Sequence, residues 1–127
     1  MKIYIAGASG QLGSYLKYKL KNKKNFKIYT KRYNLLLKKS YVYLKKINPD
    51  VIINCAGLTD VNLCEFNYNK ALKLNQTIPS NLNRFCETEK IFLIHISTDH
   101  IYDEKNKIKS KEDQIKIVNN YARSKLK

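Results

Sequence analysis

Tryptophan is absent from this 127-residue chain, proline occurs twice, glycine four times, and no acidic residue precedes Asp50. Internal repeats and low-complexity tracts are also missing. The length suits one compact domain with one buried core and is too short for two. No apolar run approaches the roughly 20 residues needed to cross a bilayer, since Val51 to Leu58 and Ile91 to Ile96 have only the length of buried strands. The N-terminal segment Met1-Lys2-Ile3-Tyr4-Ile5-Ala6-Gly7 lacks the apolar stretch and small-residue cleavage site of a secretory signal, so a cytoplasmic protein with no membrane partner is expected. Cys55, Cys64 and Cys86 are odd in number and lack the close pairing of a zinc site or redox dithiol. They read as buried or idle thiols, and no metal is expected.

Charge is plentiful in one sign only: 25 Lys and Arg against 10 Asp and Glu give a formal net charge of +15. Such a balance first suggests nucleic acid or an anionic surface. The cations are spread along the whole chain, often as pairs such as Lys23-Lys24, Lys38-Lys39 and Lys45-Lys46, with no arginine-rich or aromatic-interleaved stripe. A nucleic-acid partner is therefore not expected.

What is present is an alternation of strand and helix signals. Lys2 to Ala6 is β-branched and alternating, breaks at Gly7, and gives way to Leu12, Tyr15, Leu16 and Leu20 at helical spacing. Phe26 to Thr30 is a second strand-like run, and Tyr41, Val42, Leu44 and Ile47 mark a short helix ending before Pro49. The continuous apolar run Val51-Ile52-Ile53-Asn54-Cys55-Ala56 has the signature of a strand buried on both faces of a parallel sheet. Tyr68, Ala71, Leu72, Leu82, Phe85 and Cys86 mark one or two helices that Pro79 kinks or restarts, and Ile91 to Ile96 is the fourth strand. Tyr102 to Lys116 reads as a polar loop, and a last helix begins near Asn119. The pattern predicts an α/β domain, a Rossmann-type doubly wound parallel sheet that stops after the final helix.

Gly7, Gly10 and Gly13 occupy the turn between the first strand and the first helix, in the segment Gly7-Ala8-Ser9-Gly10-Gln11-Leu12-Gly13. One glycine permits the tight turn, the next lets backbone approach a pyrophosphate, and the third lets helix and strand pack closely. The pyrophosphate would rest on the helix N-terminus, where free N–H groups and the positive end of the dipole point. At the end of the second strand, an Asp or Glu would bond the ribose hydroxyls of NAD, and none is available. Thr30-Lys31-Arg32 lies there instead, and a cationic fork suits the 2′-phosphate of NADP. NADP(H) is thus the expected cofactor and NAD(H) the alternative; Lys31 and Arg32 also fit a plain solvated surface.

Ser97-Thr98-Asp99 follows the fourth strand at the carboxyl edge, where open α/β sheets bind ligands. Tyr121 and Lys125 fall at i and i+4, on one face of the last helix. A ketone being reduced develops negative charge on oxygen, so it needs a proton donor and hydrogen bonds that strengthen in the transition state. A hydroxyl, a phenol and a lysine supply both. Chance pairs of this spacing are common here, and Tyr15 with Lys19 is one.

Together, Gly7 to Gly13, Pro49 to Thr59, Ser97-Thr98-Asp99 and Asn119-Asn120-Tyr121-Ala122-Arg123-Ser124-Lys125 occur in the order of the extended short-chain dehydrogenases/reductases, which the chain resembles over essentially its whole length. Within them it looks most like the dTDP-4-dehydrorhamnose reductases. The resemblance implies NADP(H)-dependent reduction of a 4-keto nucleotide-sugar, dTDP-4-dehydrorhamnose to dTDP-L-rhamnose, with Thr98, Tyr121 and Lys125 catalytic. It places Thr98, Asp99 and Tyr121 at the substrate, and Gly10 to Leu12, Cys55, Ala56, Gly57, Tyr121 and Lys125 at the cofactor. Sugar-dehydratase relatives carry a glutamate where this chain has His100, which disfavours dehydration. Departures from the family pattern are Asn34 on the adenine side, Asn62 and Ala122.

Relatives continue past the tyrosine–lysine helix with further strands and a substrate-binding lobe, so residues 1–127 are expected to form an incomplete NAD(P)-binding domain. The edge of Ile91 to Ile96 would then be exposed and the final helix marginal. A homodimer or a separately encoded C-terminal half is the expected protein partner, beside a nucleotide-sugar substrate. The competing functions are a noncatalytic dinucleotide- or sugar-nucleotide-binding subunit and a basic nucleic-acid-binding module.

Overall fold

The computed structural model describes residues 1–102 and 112–126. Four parallel strands, β1 (Lys2–Ala6), β2 (Lys27–Tyr29), β3 (Val51–Asn54) and β4 (Phe92–His95), form one sheet in the order β2-β1-β3-β4. The chain steps outward from β1 to β2, then crosses to β3 and β4 on the other side. That reversal opens a crevice at the carboxyl ends of β1 and β3.

Side chains alternating from β1 and β3 feed two cores, as strand geometry requires. Ile3, Ile5 and Ile53 face α1 (Gln11–Lys21) through Leu16 and Leu20. Tyr4, Ala6 and Ile52 face the opposite way, against Leu44 of α2 (Lys38–Ile47) and Leu82 and Cys86 of α5 (Ile78–Glu89). Helices on both faces make the sheet doubly wound.

Between β3 and α5 run three short pieces. α3 (Val61–Phe66) was not marked by the apolar spacing; it forms because the Asp60 carboxylate caps it, accepting from the Leu63 N–H at 2.9 Å. α4 (Tyr68–Leu72) is capped in the same way by Asn67. A π-turn over Lys73–Thr77 then leads into α5, where Pro79 sits in the first turn. Proline has no N–H to give the Asn75 carbonyl, and the ladder widens to the longer bond from Ile78 N–H to the Lys73 carbonyl. The expected restart at Pro79 is therefore a register change within one nearly continuous helical path.

Both outer strands are shorter than their apolar runs. α2 ends at Asn48, whose left-handed φ of 48° turns the chain before Pro49. The segment expected as a loop is tied at its base, where Tyr102 and Ile115 bridge antiparallel and Lys116 N–H donates to the Ile101 carbonyl at 2.9 Å. Residues 103–111 of that expected loop lie outside the described residues.

Among the described residues β4 pairs only with β3, and its Phe92 and Ile94 are exposed. The last helix, α6 (Asn120–Leu126), is short but docked: Tyr121, Ala122 and Ser124 are buried against α3, α4 and the π-turn. No helix among the described residues is long and apolar enough to cross a membrane.

Candidate functional site: a glycine-walled crevice and a docked tyrosine–lysine helix

Gly7 takes a left-handed φ of +73°, and a Cβ there would lie 2.6 Å from the Ala56 nitrogen. Only glycine fits, because the β1 turn presses directly on the chain leaving β3. At Gly13 a Cβ would collide with the Gly7 carbonyl oxygen, so this glycine lets α1 cross close to the turn. Gly10 is different. A Cβ there would meet only the Gly7 oxygen, at 3.4 Å.

Gly10 is also the N-cap of α1, and neither a side-chain cap nor an acidic residue occupies that helix end. The first amides of a helix have no acceptor within it, so those of Gln11, Leu12 and Gly13 leave a positive site facing the crevice. A cavity of about 670 Å³ opens beside it, lined by Gly7, Ser9 and Gly10 on one side and Cys55, Ala56 and Gly57 on the other. Lys31, Arg32 and Asn34 close its far end. The volume suits a cofactor-sized ligand. Gln11, Leu12 and Gly13, expected at the cofactor, do not line the cavity.

The wall beyond β2 is fixed from below. Tyr4, fully buried, donates its hydroxyl to the Lys31 carbonyl at 3.2 Å, and burial raises its phenol well above the usual range. Asn34 uses its side-chain oxygen on the Leu36 N–H at 3.1 Å, shaping the local turn.

Thr98 and Asp99 sit just past β4. Thr98 Oγ1 accepts from the His100 N–H at 3.3 Å and caps a single 3₁₀ turn, Asp99–Ile101. Tyr121 meets this turn through His100, ring edge to ring face, with centroids 5.5 Å apart. Lys125 reaches the chain between β4 and Ser97, donating to the Ile96 carbonyl at 2.6 Å; burial lowers its pKa. The four residues expected at the chemistry are thus brought to one end of the sheet, with the lysine anchored on backbone.

Three side chains in this anchorage were not singled out as site residues by the sequence. Glu65 of α3 accepts from the Asn120 N–H at 2.6 Å and from its side-chain amide at 2.8 Å, capping α6 from outside. Asn75, 2% exposed in the π-turn, accepts from the Leu58 N–H at 2.7 Å and donates to the Leu58 carbonyl at 2.9 Å and to Ser124 Oγ at 2.8 Å. Asn54, wholly buried at the end of β3, accepts from the Ala56 N–H and bonds His95, each at 3.1 Å. The clue for Asn54 was polarity at the end of an otherwise apolar strand. Cys55, Cys64 and Cys86 are free thiols whose pKa values burial raises.

Residues 1–127 match the family model described as RmlD substrate binding domain. The chain belongs to that family, among the extended short-chain dehydrogenases/reductases. It is 33% identical to the dTDP-4-dehydrorhamnose reductase of Mycobacterium tuberculosis over 104 residues, 80% of this chain and 34% of that protein. A dTDP-4-dehydrorhamnose reductase from Clostridium acetobutylicum superposes with a TM-score of 0.88 at 32% identity, over 99% of this chain and 46% of that one. The Bacillus anthracis enzyme of the same name, solved in complex with NADP, gives 0.91 at 25% identity, over 98% and 46%. This family member thus spans about a third of the mycobacterial relative and under half of either solved chain.

Proposed function

We propose that this chain is the cofactor-binding and proton-donating part of an NADP(H)-dependent reductase of a 4-keto nucleotide-sugar, converting dTDP-4-dehydrorhamnose to dTDP-L-rhamnose. The observation that carries this reading is that two structures lie at the carboxyl end of the same sheet: the glycine-walled cavity at the β1–β3 crevice, whose lining does not include Tyr121 or Lys125, and the helix that brings these two residues to the segment Ile96–His100. NADP(H) fits the residues present, since Gly10 leaves its backbone open, α1 offers uncapped amides, and Lys31 and Arg32 supply cations at the far end. NAD(H) is the weaker alternative, because no carboxylate stands at the end of β2.

When bound, the nicotinamide supplies the reducing equivalent. The α1 amides would hold the pyrophosphate, and Lys31 and Arg32 would engage the 2′-phosphate. Tyr121 gives its hydroxyl proton to the ketone oxygen, while the Thr98 hydroxyl hydrogen-bonds that oxygen as its charge grows. Lys125 holds α6 to the chain leaving β4. Asp99, exposed at the start of its turn, would bond the sugar hydroxyls.

We propose further that residues 1–127 are one NAD(P)-binding unit and that selection of the sugar falls to a lobe outside them, because the solved relatives are about twice as long. The uncovered face of β4 supports this. Thermal unfolding with increasing NADPH or NADH tests the cofactor reading: a melting point that rises with NADPH at lower concentration than with NADH is expected. No shift with either overturns it.

A further inference from the structure

His95 is the half-buried histidine at the end of β4, and its position differs from that of a passive core residue. Its Nδ1 lies 3.1 Å from Asn54 Nδ2. An amide nitrogen only donates, so Nδ1 must accept and the ring proton sits on Nε2. The other end of the same amide, Asn54 Oδ1, accepts the Ala56 N–H at 3.1 Å. Ala56 lines the cavity, and its nitrogen is the atom against which the Gly7 turn is packed. One buried amide therefore spans from an imidazole to the floor of the crevice.

We infer that His95 is a positioning residue for the cofactor cradle, acting through Asn54 and holding the Cys55–Gly57 segment in register with the Gly7 turn only while its imidazole is neutral. This rests on the proposed dinucleotide site. A protonated ring presents N–H at both nitrogens, so Nδ1–H would face the Asn54 amide N–H₂. If the amide turns over, its N–H₂ faces the Ala56 N–H instead; if the ring turns away, Asn54 loses its partner. In either case a buried donor is left unpaired beneath the cavity.

The charged groups around His95 favour the neutral ring. Lys125 faces it from α6, and Arg84, with Asn83 and Ser80, faces it from α5 across a cavity of about 460 Å³. Burial and the Lys125 charge lower its pKa, so the cradle keeps its form at neutral pH.

The experiment compares the chain with His95→Asn and His95→Leu. Asparagine keeps an acceptor near the place of Nδ1 and cannot take a proton; leucine removes the acceptor. NADP⁺ is the probe, with NAD⁺ beside it because the 2′-phosphate itself titrates. Expected for the unaltered chain is a loss of affinity for both probes below the His95 midpoint, steepening toward about tenfold per pH unit. His95→Asn should bind as the unaltered chain does at neutral pH and lose that dependence for NAD⁺; His95→Leu should bind at least about tenfold more weakly throughout. NAD⁺ affinity in His95→Asn that still falls with the same midpoint overturns the inference. NMR of the free chain decides separately: the Ala56 amide shift must follow the His95 midpoint, and an Ala56 amide that does not respond also overturns it. Failure of the unaltered chain to bind either dinucleotide defeats the proposed function, and the amide titration then decides this inference alone.

Discussion

Asn75 and Ser124, 49 residues apart in sequence, meet through a buried 2.8 Å hydrogen bond, and the same Asn75 side chain clasps both backbone groups of Leu58. The loop after β3 and the helix bearing Tyr121 are thereby held by one amide. Asn75→Ala is expected to lower the unfolding free energy by about 2–4 kcal/mol, since each buried polar group left unpaired costs about 1–3 kcal/mol. Urea denaturation measures this, and a loss below about 0.5 kcal/mol, the size of an ordinary surface change, would refute the clasp.

Gly7 and Gly10 should respond oppositely to alanine. Gly7→Ala combines an unfavourable φ of +73° with a collision at the Ala56 nitrogen, and should destabilise by about 2–4 kcal/mol. Gly10→Ala meets only ordinary contact within the protein and should keep the melting point, yet weaken dinucleotide binding where the backbone must approach the pyrophosphate. Equal stability losses in the two variants would contradict this division.

Replacing both Lys31 and Arg32 by alanine removes the two cations at the far end of the cavity. NADPH affinity should fall about tenfold or more, each charge-assisted contact being worth about 1.5–3 kcal/mol, while NADH affinity changes little. Titration calorimetry with both cofactors reads the ratio; a parallel loss for both would show that these residues do not engage the 2′-phosphate.

Tyr121→Phe retains the ring that packs on His100 and among Cys64 and Ala71. In the proposed reductase, ketone reduction should drop about a hundredfold or more, the usual scale for removing a general acid, with cofactor affinity preserved. Turnover unaffected by the change would assign proton donation elsewhere.

The alkaline limit of stability should be set by buried phenols. Burial pushes Tyr41 up to about 12 and raises Tyr4 further, with Tyr33 and Tyr41 adding to the effect on Tyr4. A phenol whose folded pKa exceeds its unfolded value near 10 binds more protons when folded, so its stabilisation is complete below about pH 10 and is lost as pH rises toward the folded values. Ultraviolet titration should show Tyr4 and Tyr41 ionising only as the fold opens. Ionisation of both phenols near pH 10 with the fold intact would be inconsistent with this.

Local features were legible because local physics makes them. The β1–glycine turn–α1 unit follows from an alternating strand, a turn only glycine can take, and a helical repeat beginning at Leu12. The double burial of β3 showed in its unbroken apolar run, and the Tyr121–Lys125 spacing already put both residues on one helix face. Likewise the absence of any acid before Asp50 was enough to weigh the cofactor at the end of β2.

What the fold alone decided are relations between residues distant in the chain. Nothing in the spacing tells that Glu65 caps α6, that Asn75 joins the β3 loop to Ser124, or that Lys125 spends its ammonium on the Ile96 carbonyl. The last glycine of the turn serves packing against the Gly7 carbonyl and lies outside the cavity wall. A sequence determines each residue's local preference and its face of a strand or helix. Which buried donor meets which acceptor is settled only when the sheet order has brought the elements together, because a buried polar group takes whatever partner the packing leaves within hydrogen-bond reach.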